Sequence, residues 1–155
     1  MKNLQKKIKT YVIIVSSYFP KTHSKAETPT GFIENIGNNK LHTLRAGYHN
    51  WKKKFEAIEK GEAILSVRTW SATPYRSPQI ILFNLSHLDG IGIEKLEFQD
   101  QDLTKPLISG TTRTTIDRLA KNDGLSVQDF KDWFAKYKLD QPLAVIHFTK
   151  FRYEV

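Results

Sequence analysis

The chain has 155 residues, no cysteine and a formal net charge of +8 at neutral pH. This length predicts a single domain over residues 1–155, which would bury about 70% of the surface of its unfolded chain. The absence of cysteine excludes disulfides, thiolate metal sites and a cysteine nucleophile. The five histidines are never three to five residues apart, which argues against a zinc site. We therefore expect neither a metal nor a cofactor.

The positive charge is concentrated in the first third of the chain. Residues 1–54 hold 11 Lys and Arg against two Glu, a net charge of +9, whereas residues 55–155 hold 13 basic and 14 acidic residues. A basic surface of this kind favours phosphate-bearing partners, above all RNA and nucleotides. General solubility explains the same charge. The sequence contains no motif typical of duplex-DNA recognition.

The first elements predict a tail, a strand and a short helix. Residues 1–9 are polar and lysine-rich and predict a frayed tail. The apolar run 11–15 predicts a buried first strand, because it is too short for a signal peptide or for a membrane span of about 18 residues. We expect a cytoplasmic protein without membrane contact. A loop then leads to a short helix over 30–36, capped by Thr30.

A turn rich in glycine and asparagine, at 37–39, precedes a stretch that combines an amine, a hydroxyl and a guanidinium. The alternation over 41–45 predicts a short strand with Thr43 and Arg45 on one side. A desolvated lysine loses its proton more easily, so Lys40 is a candidate base for the Thr43 hydroxyl. An ordinary strand with solvated basic ends explains the same residues.

The next segment predicts a helix, a strand and a loop. Asn50 is predicted to cap a helix that ends at Gly61 and exposes the lysines at 52–54. Residues 63–70 alternate as a strand, and 71–78 form a loop. Strand and loop together carry a basic and aromatic cluster of the kind that stacks unpaired bases and holds phosphates: Arg68, Trp70, Tyr75 and Arg76. Aromatic side chains that fill the mouth of a barrel are an equal alternative.

The second half of the chain predicts three more strands and two helices. Two strands, 80–88 and 91–98, are predicted to form a hairpin at Asp89-Gly90, followed by a polar loop over 99–110. Short helices are expected from Thr114 or Thr115 to residue 120 and from Ser126 to residue 137, the second with a capping box of Ser126 and Asp129. The closing strand covers 143–148 and continues to 153. These elements predict an α+β fold with a small mixed β-barrel of five or six strands flanked by short helices.

The order of these parts resembles the ASCH family, a branch of the PUA-like fold. Residues 40–45, Lys-Leu-His-Thr-Leu-Arg, are similar to the family's Lys-Thr-Ile-Thr-Ile-Arg after a helix and a turn. Residues 119–148 resemble the small bacterial members that remove the acetyl group from N4-acetylcytidine, with a carboxylate loop at Asn122-Asp123-Gly124, a helix and a final strand. The resemblance implies a PUA-like barrel and an RNA or nucleoside partner.

The resemblance also implies roles for individual residues. Lys40 matches the family's catalytic lysine and Thr43 its nucleophilic threonine. Asp123 stands where the hydrolases have a glutamate, and its side chain is shorter by one carbon–carbon bond, about 1.5 Å. Arg45 would hold the site's geometry or a phosphate. Two hypotheses follow: a binding domain that holds RNA or a nucleoside in this cleft, and a metal-free amidohydrolase that acts on N4-acetylcytidine.

Overall fold

A computed structural model of the chain describes residues 7–154. Over this range it has seven strands and four α-helices. The strands are β1 (Lys9–Ile14), β2 (His42–Ala46), β3 (Ala63–Trp70), β4 (Gln79–Leu85), β5 (Gly92–Phe98), β6 (Pro106–Ile108) and β7 (Leu143–His147). The helices are α1 (Phe32–Asn35), α2 (Tyr48–Glu59), α3 (Ile116–Asn122) and α4 (Val127–Phe134).

The strands form two sheets, so the fold is α+β as predicted. One sheet has the order β1-β3-β4 and the other β2-β7-β5-β6. Only the β1–β3 pairing is parallel among the paired strands of residues 7–154. The two sheets share no strand, and the closed five- or six-stranded barrel therefore stays a prediction.

The core lies around β3 and β7, each of which has a strand on both sides. All five residues of β7 are buried, as expected for a central strand covered on both faces. On β3, Ala63, Leu65 and Val67 are buried. Helix α2 packs on this core through Phe55 and Ile58.

Two predicted features of the strands are wrong. The first strand is an edge strand, not a buried one: β1 pairs only with β3 in the part of the chain described, and Ile13 is its one buried residue. The hairpin at Asp89-Gly90 does not form, because β4 and β5 belong to different sheets. A 3-10 turn over His87–Asp89, capped by Ser86, instead carries the chain from one sheet to the other.

Several boundaries also differ from the prediction. Helix α2 begins at Tyr48, after Gly47 with a φ of 79°, and Asn50 is therefore inside it. The predicted loop 99–110 contains β6, and the closing strand ends at His147. The predicted tail lies outside the described residues up to position 6, while Lys9 already belongs to β1. No helix within residues 7–154 has both the length and the apolar character needed to cross a membrane.

Candidate functional site

The backbone around Lys40 is held against the end of helix α3. Lys40 forms an isolated antiparallel bridge with Asp123, the residue that caps α3. Next to it, the Leu41 N–H donates to the Asn122 carbonyl at 2.7 Å. Gly124 permits the close approach: its φ is +81°, and a Cβ at this position would lie 3.2 Å from the Lys40 Cβ. The predicted carboxylate loop is thus directly beside the predicted lysine.

The Lys40 side chain is almost completely buried, with 1% of its surface exposed. Its Nζ donates to the Asp123 carbonyl oxygen at 2.8 Å and to the carboxylate Oδ1 at 3.3 Å. The same Nζ lies 3.9 Å from the centre of the Phe32 ring. Burial lowers the pKa of Lys40 to about 8, although the Asp123 carboxylate opposes that shift. The neutral amine, which can accept a proton, is therefore more populated at neutral pH than in a solvent-exposed lysine.

Asp123 has a second buried partner in His42. The distance from His42 Nδ1 to Asp123 Oδ1 is 3.2 Å, and that from His42 Nε2 to the Tyr153 hydroxyl is 2.7 Å. An ionised carboxylate can only accept, so Nδ1 donates to it, and in the neutral imidazole Nε2 then accepts from the Tyr153 hydroxyl. The Asn122 side-chain amide donates to the same hydroxyl at 3.1 Å. A buried chain of hydrogen bonds therefore fixes the orientation of the Asp123 carboxylate.

Thr43 is buried in the same region but has a different partner from the predicted one. Its hydroxyl accepts a hydrogen bond from Arg45 NH1 at 2.8 Å. Among the described contacts of the Lys40 amine, hydrogen bonds go to Asp123 and none to Thr43. Arg45 NH2 also donates to the Ile14 carbonyl and so joins β2 to β1. Burial lowers the pKa of Arg45, and Asp123 opposes that shift.

All three predicted catalytic residues line one small hollow. Lys40, Thr43 and Asp123 share it with Arg45 and with apolar walls that include Trp133. Its volume is about 20 Å³, which is room for about one water molecule. The hollow therefore brings the predicted residues together but does not by itself hold a substrate.

A much larger cleft of about 880 Å³ adjoins the hollow, and Ser16 and Arg45 line both. Five aromatic residues line the cleft: Tyr18, Phe19, Trp51, Trp70 and Tyr75. The Trp70 and Tyr75 rings are 5.2 Å apart. Tyr75 is 88% exposed and has a φ of 65°, a left-handed backbone unusual for tyrosine. The cleft thus presents flat apolar surfaces to solvent.

The predicted basic and aromatic cluster is divided by the structure. Trp70 and Tyr75 line the large cleft, whereas Arg68 and Arg76 are not among its lining residues. The Arg68 guanidinium donates instead to Ser66 Oγ at 2.9 Å and to Gln79 Oε1 at 3.1 Å. Arg76 is exposed. Two other cationic side chains line the cleft instead, Lys21 and Arg45.

Protein-family models, curated proteins and solved structures were compared with the chain, and none matches it. Membership of the ASCH family therefore stays a prediction. Within residues 7–154, no group of three or more His, Asp and Glu side chains is placed to hold a metal ion.

Several site residues were not identified from the sequence. His42 alternates with Thr43 and shares the inner side of β2 with the buried Leu44, and a histidine on such a face is a usable signal. Tyr153 gives no signal, because it meets His42 across 111 residues of chain. Trp51 of helix α2 is partly buried against the core and also lines the cleft.

Proposed function

We propose that the large cleft binds a nucleobase, carried by a nucleoside or by single-stranded RNA. The observation that carries this proposal is the cleft itself, about 880 Å³ with Trp51, Trp70 and Tyr75 on its walls. Ligand pockets usually measure about 300 to 1,000 Å³. A base stacked on an aromatic side chain contributes about 1–3 kcal/mol of binding free energy. Flat walls of this kind suit a flat ligand.

The charges around the cleft support a ligand that carries phosphate. Lys21 and Arg45 line the cleft, and the amine of Lys54 lies 4.3 Å from the centre of the Trp51 ring. These cations belong to the first third of the chain, where the net charge is +9. Phosphate contacts release counterions, so the affinity for RNA should fall steeply as the salt concentration rises.

A fluorescence titration tests this function, because two of the three tryptophans line the cleft. Addition of a short single-stranded RNA should quench the emission, and Trp70→Ala should weaken binding roughly 5- to 150-fold, the equivalent of one lost stacking contact. Trp70→Phe should retain most of the affinity. Arg76→Ala, outside the cleft, should change it little. An affinity that Trp70→Ala leaves unchanged would contradict the proposal.

The wider proposal is that the protein is a cytoplasmic ASCH-like domain with a PUA-like barrel that is open at the cleft. Two findings support it. The order of Lys40, Thr43 and the Asp123 loop follows the family pattern, and the Arg45 side chain bridges β2 to Ile14 of β1 at adjacent edges of the two sheets. The cleft would then be the gap between β1 and β2.

Amidohydrolysis of N4-acetylcytidine is a second candidate, favoured by a buried lysine with a pKa of about 8 in one hollow with Thr43 and Asp123. Neutral Lys40 would take the Thr43 proton, and the Thr43 oxygen would attack the acetyl carbonyl. The bond to the exocyclic nitrogen would then break as Asp123 passes the proton taken up by Lys40 to the leaving amine. Water would hydrolyse the resulting ester, releasing acetate and restoring the Thr43 hydroxyl. The Thr43 hydroxyl must first replace its hydrogen bond from Arg45 with one to the Lys40 amine. The hollow must also widen to admit an acetyl group.

Acetate release from N4-acetylcytidine tests this second candidate. Turnover that Thr43→Ala abolishes and Lys40→Ala reduces roughly a hundred- to ten-thousand-fold would support it. Thr43→Ser, which keeps a hydroxyl, should retain part of the activity. If the unaltered protein releases acetate no faster than the background reaction, hydrolysis is rejected and only the binding function remains.

A further inference from the structure

The cleft also exposes a row of backbone groups along β1. On its paired side, the Lys9 N–H donates to Glu62 O at 3.0 Å and the Val15 N–H donates to Arg68 O at 2.8 Å. Backbone groups alternate in direction along a strand, and in a parallel pair the N–H and C=O of one residue point the same way. The N–H and C=O groups of Val12 and Ile14 therefore point to the opposite edge.

An independent contact agrees with this direction. The Arg45 guanidinium donates to the Ile14 carbonyl from the opposite edge. Arg45 lines the cleft, and so do Val12, Ile13 and Ile14. The side chain of Ile13 is buried, with 2% of its surface exposed, which anchors this stretch of backbone in the core. The free edge of β1 is thus a fixed wall of the cleft.

Three polar groups on this wall are open. The Val12 N–H, the Val12 C=O and the Ile14 N–H have no partner within residues 7–154, whereas the Ile14 C=O is taken by Arg45. Read along the strand, the open groups are a donor, an acceptor and a donor. A ligand that satisfies all three must present an acceptor, a donor and an acceptor in one plane.

We propose that this row recognises the Watson–Crick edge of uracil. That edge presents O4, N3–H and O2, which is the complementary order of acceptor, donor and acceptor. Cytosine presents a donor and two acceptors, guanine an acceptor and two donors, and adenine a donor, an acceptor and a C–H group. Each of these bases leaves at least one polar group of the row without a partner, which weakens binding. This inference rests on the proposed base-binding function and names the base.

Thymine has the same edge as uracil, since its methyl group is at C5. The proposal therefore concerns the shared edge, and RNA and DNA ligands are separated by experiment. Single-stranded oligonucleotides of uridine, cytidine, adenosine and thymidine, titrated against the full chain, provide the comparison. The uridine oligonucleotide should bind roughly tenfold or more tightly than those of cytidine and adenosine. A thymidine oligonucleotide of equal affinity assigns the site to the edge alone, and a weaker one assigns it to RNA.

The decisive ligand is an oligonucleotide of 3-methyluridine, in which the N3–H is replaced while both carbonyls and the stacking surface remain. It should bind no better than the cytidine oligonucleotide. Val12→Pro removes one donor of the row at an edge position where proline is tolerated, and it should abolish the preference for uridine. Val12→Ala keeps that donor and should retain the preference. If Val12→Pro does not fold, the 3-methyluridine comparison on the unaltered chain still decides.

Two results would overturn the inference in distinguishable ways. Equal binding of uridine and 3-methyluridine oligonucleotides, with a loss on Trp70→Ala, would show that the cleft stacks bases but that β1 does not read them. No binding of any oligonucleotide at low salt would remove the base-binding function itself.

Discussion

The stability of the protein should increase as the pH rises from 7 to 9.5, because of Lys40. In the native state its buried amine releases the proton near pH 8, against an ordinary value of 10.5. Between these two values the unfolded chain binds more protons than the native protein, so the free energy of unfolding rises with pH. At pH 9.5 the solution is about 1.5 pH units above the native pKa of Lys40. At 1.36 kcal/mol per unit, the free energy of unfolding should therefore have risen by about 2 kcal/mol.

Urea denaturation followed by tryptophan fluorescence, at intervals of half a pH unit, measures this increase. Lys40→Met should abolish it, while Lys53→Met, which removes an exposed lysine, should leave it unchanged. The range stops at pH 9.5 because burial also raises the pKa of Tyr153, and ionisation of that phenol in the unfolded chain acts in the opposite direction. The absence of cysteine removes thiol titration from the range. Unfolding free energies of the unaltered protein and Lys40→Met that run parallel from pH 7 to 9.5 would refute the reasoning.

Two further predictions concern the framework of the site. Burial lowers the pKa of His147 to about 4 despite its hydrogen bond to Glu94. As the pH falls from 7.5 to 5, the unfolded chain therefore binds a proton at this histidine and the native protein does not. The free energy of unfolding should fall by about 2 kcal/mol over this range. In the same urea assay His147→Gln should lose this dependence and exposed His87→Gln should keep it; equal slopes in all three proteins would contradict the assignment. Gly124→Ala should lower the free energy of unfolding by roughly 1–3 kcal/mol, and by more than Gly110→Ala, because both glycines have a positive φ but only Gly124 lies against Lys40. A smaller loss at Gly124 than at Gly110 would show that this contact relaxes freely.

The sequence predicted well those elements that are determined by neighbouring residues in the chain. The bounds of β3 match the prediction, since a clean alternation follows a glycine that ends the preceding helix. The cap of α4 is confirmed, with the Asp129 N–H donating to Ser126 Oγ at 3.1 Å. The wrong predictions concern strands whose burial or connecting turn depends on which other strand they pair with. No pattern within 11–15 tells an edge strand from a central one, and Asp89-Gly90 is a turn signal whether or not its strands pair.

The candidate site was predictable to a similar extent. Lys40 pairs with the Asp123 loop, while the family roles of both residues stay predictions. The contact of Thr43 with Arg45 follows from a two-residue spacing on one strand face. Whether the Thr43 hydroxyl pairs with Arg45 or with Lys40 depends on the partner of the lysine amine, and that partner, Asp123, is 83 residues away in the chain. The open edge of β1 is made of backbone, which side-chain patterns do not encode.

The Arg45 side chain gives the cleft a property that neither sheet has alone. It is rooted in β2, holds the Thr43 hydroxyl and reaches the last carbonyl of the β1 edge. A ligand bound along the β1 edge would therefore contact the Arg45 guanidinium, which already connects the two sheets through its hydrogen bond to the Ile14 carbonyl. Such a ligand would lie beside a guanidinium that contacts both the β1 backbone and the Thr43 hydroxyl.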